Sequence, residues 1–312
     1  MRVLVLGGTE FVGRAIVGEA LAREWQVTAV NRGTHPAAPG VSTIIADRRQ
    51  GFDVPGEWDL VVDTWSEEPR PVLDAASALA DRVGAYSYVS TRSVYDEPRA
   101  GADESWPTVE GDPAETTDDD YARSKRGAEL AVLQAFGARS TITRPGCIFG
   151  PWENTGRLPW WLGRMSRGGD VLAPGPAAAS IQYVDARDLA AFALDAVPGV
   201  FNTVATTTMG ALLDEIRSVT GSRARLVWSA PQAIIDAGIE PWRELPAWLP
   251  PGEAHDGLHG ADTTAAEAAG LVARPLADTV RDTWEWMRSN EAVSKRRIGL
   301  DPAKEAAFLA SR

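Results

Sequence analysis

The first half of the chain alternates between two hydrophobic periods. Val3 to Leu6 is a short apolar run, interrupted by Gly7 and Gly8. Phe11, Val12, Ala15, Ile16, Ala20 and Leu21 then recur at helical spacing. This pattern predicts a buried strand, a glycine turn and an amphipathic helix. Further strands are predicted at 26–31, 42–46, 59–63, 85–90 and 140–143, with a helix over 71–83. Apolar strands separated by helical segments predict a parallel sheet covered on both faces.

A polar loop rich in Asp, Glu and Pro covers 96–117, and a long helix follows, opening at Asp118 to Asp120 and ending near Phe136. Acidic residues in a first turn suit the helix dipole. Beyond Pro145 the pattern loosens. Residues 152–176 read as loop around a short helix at 159–166. Helices are expected at 185–196, 208–219, 263–269 and 276–289, with strands at 200–204 and 225–228. The Pro- and Trp-rich stretch 232–259 has no clear period. The expected fold class is α/β: a doubly wound Rossmann sheet over 1–150, and a smaller C-terminal α/β substrate lobe over 151–312. Segments such as 180–204 are expected to return to the first domain.

Composition narrows the function. The 312 residues carry a formal net charge of -12, which argues against a general nucleic-acid or anionic membrane surface. No nucleic-acid or membrane partner is expected, and a bound phosphate must rely on local donors. The single cysteine, Cys147, permits no intrachain disulfide. With no apolar run of membrane length and no signal-peptide pattern, a cytoplasmic protein is the simplest expectation. Cys147 reads as a packing residue. His255 and His259 are four apart, but Pro and Gly flank them and no third ligand is evident, so a loop and no metal site are expected.

Four stretches carry candidate chemistry. Gly7 and Gly13 occupy the outer positions of Gly-x-x-Gly-x-x-Gly, with Glu10 in the middle, between a strand and a helix that suit a pyrophosphate. The second strand ends at Asn31-Arg32, where NAD-preferring proteins carry an acid. An arginine there can pair with a 2′-phosphate, which favours NADP(H) and leaves NAD(H) open. Tyr121 and Lys125 lie four apart on one helix face, and an ammonium beside a phenol lowers its pKa. Tyr121 is therefore a candidate acid/base. Ser90-Thr91-Arg92-Ser93-Val94-Tyr95 follows the fifth strand, where a hydroxyl can orient a substrate oxygen.

Gly-Gly-Thr-Glu-Phe-Val-Gly, Ser-Thr-Arg-Ser-Val-Tyr, Tyr-Ala-Arg-Ser-Lys, and 144–151 (Arg-Pro-Gly-Cys-Ile-Phe-Gly-Pro) come in the order of the extended short-chain dehydrogenases/reductases, the NAD(P)-dependent epimerase/dehydratase family. The chain resembles that family, by motif over about its first half and on through the segment 182–189. The Gly-Gly-Thr-x-Phe-x-Gly opening resembles a branch some of whose members bind RNA in plastids.

The resemblance implies roles. Thr91, Tyr121 and Lys125 would be catalytic, with Lys125 also binding the nicotinamide ribose. Gly7, Thr9, Glu10, Phe11, Val12, Gly13 and Thr64 would border the cofactor. Asn31 and Arg32 would meet its ribose, Asp47 and Arg48 its adenine, and Pro145 and Gly146 its nicotinamide. Trp152, Arg157, Gln182 and Tyr183 would face a small-molecule substrate.

Glu10, Trp65 and Arg92 depart from the family pattern, which has small residues there. A homodimer is expected by resemblance, with Leu130, Leu133 and Phe136 serving either the interface or the core. The expected activity is NAD(P)-dependent hydride transfer between nicotinamide and a carbonyl or secondary alcohol. Sugar-nucleotide epimerisation or dehydration at the same site is one alternative, and a non-catalytic nucleotide sensor or scaffold is another.

Overall fold

The computed structural model describes residues 1–290 and 298–312. The chain runs β1 (Arg2–Leu6), α1 (Phe11–Ala22), β2 (Gln26–Asn31), β3 (Ser42–Ile45), β4 (Trp58–Asp63), α2 (Arg70–Leu79), β5 (Val83–Val89), α3 (Tyr121–Phe136) and β6 (Ser140–Thr143). It continues through β7 (Cys147–Phe149), α4 (Arg157–Ser166), β8 (Asp170–Pro174), β9 (Ser180–Asp185), α5 (Ala186–Asp195), β10 (Gly199–Phe201), β11 (Ala205–Thr208), α6 (Met209–Thr220) and β12 (Arg225–Ser229). Last come α7 (Pro231–Asp236), β13 (Pro241–Trp242), β14 (Leu245–Pro246), α8 (Glu253–His259), α9 (Thr264–Ala268), α10 (Leu276–Ser289) and α11 (Pro302–Ala310).

A parallel sheet of seven strands, ordered β10-β6-β5-β4-β1-β2-β3, forms the centre. Alternate side chains of β1 serve opposite faces. Leu4 and Leu6 pack with Val61, Val72, Ala76 and Val132 beneath α2 and α3. Val3 and Val5 pack with Ile16, Val17, Val62 and Leu189 beneath α1 and α5. Burial on both faces is why these strands read as unbroken apolar runs. The chain order reverses between β1 and β4, and ligands of open α/β sheets bind outside the strand ends at such a point.

A second core lies in the C-terminal half, where Trp161, Leu162, Leu172, Leu213, Trp248 and Val280 are buried together. Around it lie a three-stranded sheet, β11-β9-β7, and a pair, β12-β8. β10 closes one edge of the main sheet, and α5 packs on its α1 face.

Three local expectations are corrected. The stretch 152–176, expected as loop around one helix, also contains β8. The strands β7, β9 and β11 have no counterpart among the predicted strands; β7 has only three residues, too few for a period to register. His255 and His259 lie on a helix, α8, not in a loop. Phe136 is core, its ring 5.0 Å from that of Tyr86. Among the described residues, no helix is long and apolar enough to cross a membrane.

Candidate active site

Predicted cofactor residues and the predicted catalytic Thr91 line up along one edge of the sheet. Asn31, Gly7, Thr64, Thr91 and Pro145 stand at or just beyond the C-terminal ends of β2, β1, β4, β5 and β6. That is the order of these strands across the sheet, so residues far apart in the sequence become neighbours along a single line.

The glycine turn leaves no room for side chains. Gly7 has φ +98, a region glycine enters freely, and its amide donates to the Val30 carbonyl at 3.0 Å. A Cβ at Gly13 would lie 1.8 Å from the Gly7 oxygen, so only glycine lets α1 start this close to β1. Thr64 seals the other side, its hydroxyl donating to the Leu6 oxygen at 3.1 Å. α1 has no side-chain cap at its N-terminus. The Glu10 carboxylate instead meets His35 Nε2 at 3.0 Å and accepts from Asn154 Nδ2 at 3.2 Å. Thr9 and Val12 are half-buried beside it, and Phe11 is buried with φ 25.

At the end of β2, the Asn31 Oδ1 accepts from the Gly33 amide at 2.8 Å, while its buried Nδ2 has no partner. Arg32 is exposed, and among the described residues it pairs with no carboxylate. These features fit a dinucleotide: a backbone cradle, an uncapped helix start, an orphan donor at the ribose position and a free guanidinium beyond it.

Asp47 and Arg48 part company. Asp47 accepts from the Arg49 amide at 3.1 Å and stays at the surface turn. Arg48 turns inward, and its Nη atoms donate to both Asp63 oxygens at 2.7 and 2.8 Å. The Tyr86 hydroxyl donates to the same carboxylate at 2.7 Å. The Arg48 side chain is thus committed to the core, which leaves its backbone, beside Asp47, on the cofactor side of the sheet.

Tyr121 and Lys125 share α3 and differ sharply in burial. Tyr121 opens the helix and is 46% exposed, behind Asp120, whose carboxylate accepts from the Ala122 amide at 2.9 Å. Lys125, one turn on, is 2% exposed. Its Nζ donates to the carbonyls of Val89 at 2.6 Å and Trp65 at 2.7 Å, and lies 4.2 Å from the Tyr88 ring centroid. Burial pulls its pKa down to about 7. The Thr91 hydroxyl sits at the end of β5 and accepts from the Ser93 amide at 3.2 Å.

The four residues expected to face a substrate are not equally available. The Gln182 amide is fully engaged, its oxygen accepting from Ala261 N at 2.9 Å and Arg92 Nη1 at 2.8 Å, and its nitrogen donating to the Ala261 oxygen at 2.9 Å. Tyr183 is buried and stacks on Phe149 at 5.4 Å. Trp152 is 40% exposed, with the Arg14 guanidinium 3.8 Å from its ring. Arg157 starts α4, and its guanidinium lies over the Trp242 ring. A Cβ at Gly146 would lie 3.2 Å from Val204 Cγ1 and 3.3 Å from the Gln182 backbone oxygen, so the position is tight for any side chain. Cys147 is buried, and burial pushes its thiol up to about 11, so it is inert at neutral pH. The rings of His255 and His259 meet at a tilt on α8, their centroids 5.3 Å apart, bonded to the Ser180 and Ala247 carbonyls respectively. Sequence reasoning missed Glu153, a buried carboxylate that accepts from the Arg157 amide at 2.6 Å; its place before Gly156 at the start of α4 was the available signal.

Residues 59–202 match the NAD dependent epimerase/dehydratase family. The family segment begins in β4, after the glycine turn, and ends just past β10, so it spans β5, Tyr121 and Lys125. Chloroplast stem-loop binding protein of 41 kDa b, from Arabidopsis thaliana, is 26% identical over 216 residues, covering 61% of this chain and 53% of its own length. The match thus spans about half of that relative. A putative epimerase from Burkholderia cenocepacia has a TM-score of 0.67 at 20% identity, over 93% of this chain and 98% of its own. UDP-glucose 4-epimerase from Thermotoga maritima, solved with UDP-glucose, has a TM-score of 0.64 at 18% identity, over 93% and 99% of the two chains. At these identities the likeness is one of fold.

Proposed function

We propose that the chain is an NAD(P)-dependent enzyme that moves hydride between a nicotinamide and a carbonyl or secondary alcohol. The observation that carries this reading is the alignment of Asn31, Gly7, Thr64, Thr91 and Pro145 along consecutive strand ends, above a helix bearing Tyr121 and Lys125. A nicotinamide dinucleotide, when bound, supplies the hydride acceptor or donor. The chain's residues supply everything else. The turn from Gly7 to Gly13 and the first amides of α1 receive the pyrophosphate. Asn31 and Arg32 meet the adenosine ribose, and Arg32 in place of an acid supports NADP(H) over NAD(H). Lys125 faces the nicotinamide ribose.

Tyr121 exchanges the proton with the substrate oxygen, and Thr91 holds that oxygen by a hydrogen bond. In its protonated form Lys125 favours the phenolate of Tyr121. The family's description also favours a second form of the same chemistry, in which hydride is taken up and returned, so that a sugar nucleotide is epimerised or dehydrated. Fluorescence titration with NADPH and NADH tests the first step, and turnover of carbonyl and sugar-nucleotide panels with Tyr121→Phe tests the second. Binding is expected with NADPH the tighter, and the variant is expected to lose about 100-fold or more in kcat. Absence of binding by either nucleotide removes the reading. Tight binding without turnover turns it into that of a nucleotide sensor or scaffold.

A further inference from the structure

Arg92 stands apart from the other buried arginines. Arg48, Arg144 and Arg164 each meet a buried carboxylate: Asp63, Glu129 and Glu305. Arg92 is 2% exposed, and among the described residues it forms no ion pair. Its Nη1 donates to Gln182 Oε1 at 2.8 Å and to the Leu258 carbonyl, and its Nη2 to the Gly257 carbonyl at 2.6 Å. Nη1 thereby spends both hydrogens. Nη2 keeps one, and the buried Nε has no partner. The Nε–H and the adjacent Nη2–H of a guanidinium form a planar fork that fits the two oxygens of a carboxylate. Burying a cation against neutral oxygens alone is costly, and a matching anion offsets that cost.

A second guanidinium repeats the feature. Arg157 Nε is also buried without a partner, and Arg157 forms no ion pair among the described residues. Arg92 and Arg157 both act electrostatically on the thiol of Cys147, and each also feels one carboxylate beyond ion-pair distance, Glu104 for Arg92 and Glu153 for Arg157. Arg92 is bonded beyond the end of β6 through its backbone, its amide donating to the Pro145 carbonyl at 3.0 Å. Pro145 and Gly146 are the residues assigned above to the nicotinamide.

We propose that Arg92, aided by the charge of Arg157, receives the carboxylate of a small organic-acid substrate. This deepens the hydride-transfer reading and rests on it for the identity of the site. Such a fork also pairs bidentately with a phosphate, so inorganic phosphate is the competing anion in the test.

Calorimetric titration of the chain, with NADPH and without, uses lactate, glycerate and malonate, with lactamide as an uncharged counterpart and inorganic phosphate as the competing anion. At least one carboxylate is expected to bind, with lactamide weaker than lactate by about tenfold or more. Arg92→Met is expected to weaken the carboxylate by at least about tenfold, and Arg157→Met by less. Arg92→Lys keeps the charge without the fork and is expected to fall between the wild type and Arg92→Met. Circular dichroism checks each variant; should Arg92→Met not fold, Arg92→Lys and Arg157→Met carry the comparison. The proposal is overturned if no carboxylate binds, if lactamide binds as well as lactate, if no folded variant weakens the carboxylate, or if phosphate binds more tightly than all three acids. Failure of both nucleotides to bind would remove the hydride-transfer reading, while the titrations on the free chain still decide the anion site.

Discussion

The Lys125 ammonium donates to the Trp65 carbonyl at 2.7 Å, and its second bond to the Val89 carbonyl ties the end of β4 to the end of β5. Burial lowers its pKa from 10.5 to about 7, so the folded state binds fewer protons than the unfolded state between those values. Stability therefore rises with pH across that window. The two carbonyls and the Tyr88 ring favour the ammonium and reduce the slope without reversing it. Replacing Lys125 by Met removes the titration. Melting temperatures of the two proteins from pH 7 to 10 are expected to diverge, the wild type gaining on the variant as pH rises. A constant difference would contradict the assignment.

The Arg48 side chain predicts an effect on stability rather than on adenine. Its two Nη atoms meet both Asp63 oxygens at 2.7 and 2.8 Å, where Tyr86 also donates. Removing one member leaves a buried charge unpaired, at a cost of about 3–5 kcal/mol. Urea unfolding of Arg48→Met without nucleotide is expected to show that loss. An unchanged unfolding free energy with weakened NADPH binding would place the Arg48 side chain at the adenine.

This pair marks where the sequence stops being readable. The strands of the main sheet were legible because parallel strands buried on both faces are unbroken apolar runs, as in Leu4 to Leu6. The glycine turn was legible because Gly7 and Gly13 sit between such a run and a helical period. Nothing local to Arg48 tells that its partner is Asp63, fifteen residues on, while its neighbour Asp47 stays at the surface. Gln182 has the same difficulty: a polar residue in a strand looks free to meet a ligand, yet Arg92 and Ala261 saturate it from distant segments. α8 is seven residues held by bonds such as His259 Nδ1 accepting from the Gln182 amide at 3.0 Å, a tertiary cause with no helical period to announce it.

Glu10 predicts a cofactor effect. Its carboxylate stands at the start of α1, held sideways by His35 and Asn154. On the proposed reading, a pyrophosphate on the glycine turn would meet the negative charge of this carboxylate. A partly exposed pair of like charges at such range costs up to about 1 kcal/mol. Glu10→Gln keeps an acceptor for Asn154 and removes the charge, so NADPH is expected to bind up to about fivefold more tightly at low salt. The gain should shrink as ionic strength rises. Weaker binding by the variant would mean that the carboxylate helps to shape the turn.

Glu153 gives the opposite pH dependence to Lys125. It is 2% exposed and caps the start of α4, accepting from the Thr155 hydroxyl at 2.7 Å and from the amides of Arg157 and Leu158 at 2.6 and 3.3 Å. Burial raises its pKa from 4.5 to about 7, outweighing those bonds. The folded state then holds a proton that the unfolded state has released between those values, so stability falls as pH rises from about 4.5 to about 7. Glu153→Gln retains an oxygen for the Thr155 hydroxyl and the Arg157 amide, gives up the longer bond from the Leu158 amide, and never ionises. It is expected to match the wild type near pH 4.5 and to exceed it at pH 8 by up to about 3 kcal/mol, because each tenfold difference in proton affinity between the two states is worth about 1.36 kcal/mol. Urea unfolding at the two pH values measures this. A variant less stable than the wild type at pH 8 would mean that Glu153 is ionised in the folded protein, stabilised by the amides of α4 and the nearby charge of Arg157.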